Sequence, residues 1–257
     1  MKYAKSYPTT EHENAANKFV EIFSKDSRVN SILLVNSCAR GKATKDSCLD
    51  LVLLINNLSE KEKIELDFKN LLKSVPEFIE LKKAGRFSHI DLFITDGQIT
   101  PNEREWESGP DEFELAIGNL FIYSFVLFDK KDYFLKLTKK YLPYYSENLR
   151  KKKLAEATKF FLNNIHHVQL YVDRELYFAA FDRLYKASQE FLQALFISKK
   201  VYPISYAKWI KEQLVEILGM PRLYSEFVQI HEINKFEGQE IAQKAEKLRK
   251  MFQENVK

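Results

Sequence analysis

The sequence predicts an α+β chain, with a mixed sheet in residues 1–145 and an all-α helical bundle in residues 146–257. Three observations carry that prediction. Short apolar runs bounded by turn residues recur early: SILLV at 31–35, LDLVLLI at 49–55 and HIDLFIT at 89–95. Such runs suit buried strands. After Tyr145 the pattern changes to helical spacing, with Leu154, Phe161, Ile165, Val168 and Val172 on one stripe and Ala180, Leu184, Ala187, Phe191 and Leu195 on another. Finally, the 257 residues include only 7 Gly and 7 Pro but 20 Phe and 13 Tyr, which implies few loops and much packed helix.

The elements follow in order. Ala15, Phe19, Val20 and Phe23 recur at helical spacing and place a first helix at 11–24. The run at 31–35 is a first strand, and the polar stretch 36–47, which holds Gly41, is a loop. The run at 49–55 is a second strand, ended by Asn56-Asn57. Residues 59–73 read as a helix, with Ser59 as N-cap and Glu62 three residues on, a capping box. The run at 89–95 is a third strand closed by Asp96-Gly97, and 119–128 is a fourth ending at Asp129. Beyond a boundary near 143–150, further helices are expected at 205–218, 221–233 and 238–254, with Gly219 and Pro221 as punctuation. No internal repeat or low-complexity segment is present.

Composition narrows the function classes. The formal net charge of +4 is small, and Arg150–Lys153 is the only dense basic cluster. A nucleic-acid surface shows a stronger stripe, so the cluster reads as a solvated helix start. No apolar run approaches the ~18 residues that span a bilayer, and the first residues, MKYAKSYPTTEHEN, lack the apolar core of a secretion signal. The expectation is a cytoplasmic protein without a membrane partner. Two cysteines, Cys38 and Cys48, make neither a disulfide framework nor a zinc knuckle by spacing.

Both cysteines lie in the stretch that carries the chemistry, NSCARGKATKDSCLDLVLLI at 36–55. A strand, a polar loop with Ser and Gly, then a strand opening on an acid is an arrangement suited to a triphosphate and metal. Ser37 offers a hydroxyl, and Gly41 allows a close backbone turn. Carboxylates at i and i+2 of a strand share a face. With a third from a neighbouring strand, where Asp91 stands, they can hold two metal ions about 3.5–4 Å apart for an in-line displacement.

The segment resembles the signature of the DNA polymerase β-like nucleotidyltransferase superfamily, in which Gly-Ser, Ala-Arg-Gly, an Ala and Ser-Asp-x-Asp-Leu follow a strand. Ser37, Ala39, Arg40, Gly41, Ala43, Ser47, Asp50 and Leu51 stand at matching positions, and Asp91 matches the third carboxylate. With its helical second half, the chain looks like the small-molecule branch typified by kanamycin nucleotidyltransferase. The resemblance implies a nucleotidyltransferase domain over 1–145 and a helical domain over 146–257. It implies Asp50 and Asp91 as catalytic metal ligands for Mg²⁺ or Mn²⁺, and Asn36, Ser37, Arg40, Gly41 and Ser47 around a nucleoside triphosphate. The implied reaction moves a nucleoside monophosphate from that triphosphate to a hydroxyl of a small molecule, with an aminoglycoside-like acceptor as the guess. A base from the helical half, Asp173 or Glu175 among the candidates, would deprotonate the acceptor.

Two departures stand out. The Gly before Ser is Asn36, and the first carboxylate of the pair is Cys48. A neutral thiol is a poor ligand for a hard ion such as Mg²⁺. The alternative reading is therefore a catalytically degenerate, regulatory relative that binds a nucleotide or another ligand. Two compensations are conceivable. Asp46 shares the parity of Cys48 and Asp50, so a bulge could bring its carboxylate inward. Otherwise Cys48 could ligate a softer ion such as Zn²⁺ or Mn²⁺, with His89 as a partner.

Overall fold

Strands β1 (Val29–Leu34), β2 (Leu49–Ile55), β3 (Ile90–Thr95) and β4 (Phe125–Asp129) form one sheet in the order β3-β2-β1-β4. The computed structural model describes residues 3–101 and 109–257. The sheet is mixed: β1 runs antiparallel to β2 and β4, while β2 and β3 are parallel. The chain is thus α+β, and it divides into two units, Met1–Thr100 with Asn119–Pro143, and Pro101–Gly118 with Tyr144–Lys257. Of the described residues, 109–118 group with the helical unit.

In the first unit, alternation along the strands decides which side is buried. Ile32 and Leu34 of β1, Leu49, Leu51, Leu53 and Ile55 of β2, and Ile90 and Ile94 of β3 pack in one core. Helices α1 (Thr10–Phe23), α3 (Lys61–Ser74) and α4 (Pro76–Ala84) supply Phe19, Phe23, Ile64, Phe68, Phe78 and Leu81 to that core. The even-numbered positions of β2, Asp50 among them, point to the opposite face. There Gly97 sits against Leu137 of α6 (Tyr133–Tyr141) and Leu54 of β2, with Phe121 stacked on Phe134 and Tyr141 nearby. Asp91 and Phe93 on β3 stay exposed.

In the second unit the short α5 (Phe113–Ile117) is followed by a long hairpin of α7 (Glu147–Val172) and α8 (Tyr177–Lys199). Helices α9 (Pro221–His231) and α10 (Glu240–Asn255) pack with it around Phe161, Phe191, Phe227 and Phe252. Phe161 and Phe252 stack at 4.2 Å. Both apolar stripes read from the sequence lie in this core. Among the described residues, no helix is long and apolar enough to cross a membrane.

Several expected elements are corrected. Ser59 is not an N-cap: it lies inside a short 3-10 turn, Leu58–Glu60, where its amide donates to Asn57 Oδ1 at 3.1 Å, and α3 begins at Lys61. The fourth strand is shorter than 119–128. Residues Gly118–Ile122 form a π-helical turn instead, and the Ser124 hydroxyl donates to the Leu120 carbonyl where that turn ends. The helix expected at 205–218 is confined to its second half, with Glu212–Ile217 π-helical. Ser205 there accepts from the amides of Ala207 and Lys208, and Trp209 has a left-handed φ of 59°. Helices α4 and α6 were absent from the sequence reading.

Candidate active site

The site is assembled where β1 leaves the sheet and β2 re-enters it. At the end of β1 the chain reverses through Asn36, whose φ of 57° lies in the left-handed region. Asparagine is one of the few non-glycine residues that occupy this region readily. Asn36 thus holds this backbone conformation without a glycine and adds a side-chain hydrogen bond to the Asp50 carboxylate. A single helical turn, α2 (Asn36–Ala39), follows, with Ser37 buried on it. Arg40 at its end is only 3% exposed and so packs inward. Gly41, at φ 69°, then turns the chain, and a Cβ there would stand 2.8 Å from the Ala4 carbonyl.

Residues 41–48 are held from both sides. The Ser47 hydroxyl accepts from the Thr44 amide at 2.9 Å, and the Ser47 amide donates to the Thr44 carbonyl at 2.9 Å, closing a tight turn. The Ser47 carbonyl in turn accepts from Nε2 of His12 at 2.9 Å. His12 is fully buried on α1, and its Nδ1 lies 2.9 Å from the hydroxyl of Thr9, the N-cap of that helix. On the other side, the Lys45 carbonyl accepts from the Ser88 hydroxyl at 2.6 Å and packs on Gly85. Asp46 accepts from the Arg86 amide at 2.9 Å, so its carboxylate faces that turn.

The strand register then brings the remaining groups together. The Leu49 amide donates to the His89 carbonyl at 2.8 Å, and in the parallel pairing that follows Asp50 stands opposite Asp91. Cys48 Sγ lies 3.5 Å from each Asp50 carboxylate oxygen. One ligand atom from each of Cys48, Asp50 and Asp91 falls within 4.8 Å of the others, a group that could hold a metal ion. Asp91 Oδ1 is also 3.0 Å from Nε2 of His89, whose Nδ1 donates to the Phe87 carbonyl at 2.7 Å. Asp173 and Glu175 sit at the turn between α7 and α8, where Asp173 accepts from Gln169 at 2.7 Å.

Electrostatics follow from this crowding. Burial is the main cause that raises the Asp50 carboxyl above its ordinary value; Asp91 adds to it, against the hydrogen bonds from Asn36 and Cys48. The Cys48 thiol is pushed up to about 12 by burial and then by the charges of Asp50 and Asp91. It is therefore a neutral thiol that donates to Asp50 while no cation is present. A pair of Mg²⁺ ions calls for hard oxygen donors, and a thiol between two carboxylates does not provide the full set. The donor set fits one divalent cation and does not fit a magnesium pair.

No protein-family model matches this chain, and no curated protein matches it. The chain is similar to a crystal structure described as a nucleotidyltransferase-like protein from Exiguobacterium sibiricum, at 12% identity and a TM-score of 0.46, covering 94% of this chain and 74% of that one. His12, Gly85, Ser88 and the Asn36–Asp50 bond are site features that the sequence reading missed. A signal existed only for Asn36, an asparagine at the turn that leaves the first strand.

Proposed function

We propose that this chain is a nucleotidyltransferase that moves a nucleoside monophosphate from a nucleoside triphosphate to a hydroxyl of a small molecule. The observation that supports it best is the pairing of Asp50 with Asp91 beside the Ser37–Ser47 segment. Two carboxylates repel a polyphosphate unless a cation lies between them. A site of this kind therefore binds a nucleotide together with a divalent metal. Ser37, Gly41 and Ser47 would meet the phosphates, Asn36 would fix Asp50, and buried Arg40 would support the turn from within. In the reaction the acceptor oxygen bonds to the α-phosphorus, the bond to the β-phosphate breaks, and pyrophosphate leaves. The acceptor proton passes to a base.

A second reading is favoured by Cys48. With a neutral thiol where a carboxylate would stand, the same site would hold a nucleotide without turnover. One experiment separates the two. The four triphosphates are screened with Mg²⁺ or Mn²⁺ by thermal shift, and the binders are then assayed for pyrophosphate release with aminoglycosides as acceptors. Metal-dependent binding with release supports the enzyme, and binding without release supports the second reading. No metal-dependent shift with any triphosphate would remove both.

A further inference from the structure

The replacement at position 48 changes the chemistry of the site. Of the two compensations conceivable from sequence, the structure leaves one. Asp46 is engaged by the Arg86 amide, while Cys48 Sγ stands with Asp50 and Asp91 in the group of potential ligands found among the described residues.

We infer that Cys48, Asp50 and Asp91 form a site for a single thiophilic divalent cation of the Zn²⁺ type, in place of a pair of magnesium ions. This deepens the nucleotide-site reading and rests on it, since the same residues are used.

The spacing supports it. Around a tetrahedral ion with metal–sulfur bonds near 2.3 Å and metal–oxygen bonds near 2.0 Å, sulfur and oxygen ligands lie about 3.5 Å apart. That is the distance from Cys48 Sγ to the Asp50 oxygens, 3.5 Å in both cases. Asp91 is exposed, and its ligand atom is already within 4.8 Å of the other two. The His89 ring, anchored on the Phe87 carbonyl, stands beside it with Nε2 3.0 Å from Asp91 Oδ1. Softness supplies the selectivity. A bound ion would take Cys48 as the thiolate, with its proton released to solvent, and thiolate donors favour zinc-like ions, whereas an all-oxygen set favours magnesium. Three protein ligands also leave one position of a tetrahedral ion for an oxygen of a bound phosphate.

The test uses the full chain stripped of metal, titrated with Zn²⁺, Cd²⁺ and Mg²⁺ by calorimetry, with the cadmium–thiolate absorption as a direct report on sulfur. One Zn²⁺ or Cd²⁺ per chain is expected, bound at least about 100-fold more tightly than Mg²⁺. Cys48→Ser should weaken Zn²⁺ by about 10–100-fold or more and abolish the cadmium absorption, whereas Cys38→Ser should leave both intact. Cys48→Asp should lower the preference for Zn²⁺ over Mg²⁺. Asp91→Asn, on an exposed edge position, checks the site again should a Cys48 variant fold poorly, and it too should weaken Zn²⁺.

Equal Zn²⁺ affinity in wild type and Cys48→Ser, or a cadmium absorption that survives that change, overturns the inference. Nucleotide binding is measured in parallel and separates the two readings. Wild-type chain that binds triphosphate with Mg²⁺ but shows no preference for thiophilic ions overturns the inference and leaves the nucleotide reading standing. A Cys48-dependent zinc site that binds no triphosphate supports the metal assignment and removes the nucleotide reading.

Discussion

Asp50 and Asp91 are register partners across the parallel strands β2 and β3, so two carboxylates stand side by side on one face of the sheet. Asp50 is the more buried of the two, and its environment disfavours its charge. Native chain therefore holds more protons than unfolded chain between about pH 3.8, the ordinary value, and the raised value of Asp50. Stability contributed at this position falls as the pH rises through that window, and above the raised value the whole penalty is present. Asp50→Asn should then stabilise the metal-free protein at pH 7.5, with a rise in Tm on the order of a few degrees. The gain should shrink as the pH falls toward 3.8 and should be absent when a cation is bound to wild type. Equal melting curves at pH 7.5 would show that Asp50 carries no such cost.

Asn36 makes a second test. Its φ of 57° costs an ordinary L-residue about 1–2 kcal/mol, and glycine nothing. Asn36→Ala should destabilise by about that amount or slightly more, because the hydrogen bond to Asp50 goes as well. Asn36→Gly should keep the turn and lose only that bond, so urea titration should place it between wild type and Asn36→Ala. The two variants falling together would mean that the bond, and not the backbone, decides the residue.

These relationships mark how far the sequence could be read. The strands β1, β2 and β3 were legible because each is a run of aliphatic residues too short for a helix and bounded by turn residues. The fourth was misplaced because NLFIYSFVLFD is apolar almost throughout, and periodicity cannot separate a helical turn from a strand in such a run. The bundle was legible from its two stripes, but the attachment of residues 109–118 to it depends on packing at a distance. At the site, positions 48 and 50 could be placed on one face by parity alone. Their meeting with Asp91 required the register, set by the Leu49–His89 backbone bond, which no local pattern encodes. The fate of Asp46 was equally hidden, since its partner is 40 residues away.

Gly85 tests how the loop before Cys48 is held. Its backbone is extended, so conformation does not demand glycine. Space does: a Cβ would stand 2.2 Å from the Lys45 carbonyl. Gly85→Ala must push the 41–48 segment off the 85–88 turn, at a cost of about 1–3 kcal/mol as overpacking of this kind gives. Ser88→Ala removes the hydroxyl that donates to the same carbonyl at 2.6 Å and should cost about 1 kcal/mol without displacing the loop. Metal affinity separates the two effects. It should drop clearly in Gly85→Ala and little in Ser88→Ala, and equal affinity in both would show that the loop position does not matter to the site.

His12 is the last and most informative position. It lies on α1, 35 residues before Ser47, yet its Nε2 must carry the proton of the bond between them, because a backbone carbonyl only accepts. Nδ1 is then left to face the Thr9 hydroxyl, which ties the helix start to the same ring. His12→Ala removes a fully buried ring and leaves the Ser47 carbonyl without its donor. The cavity and the stranded acceptor together should cost about 2–5 kcal/mol. His12→Phe separates these two contributions, since it fills most of the space but cannot donate. It should recover part of the stability, measured by urea unfolding, and recover little of the metal affinity, measured by calorimetry, because the carbonyl next to Cys48 remains untethered. If His12→Phe binds metal as wild type does, the histidine is a packing residue alone and the placement of Cys48 owes nothing to α1.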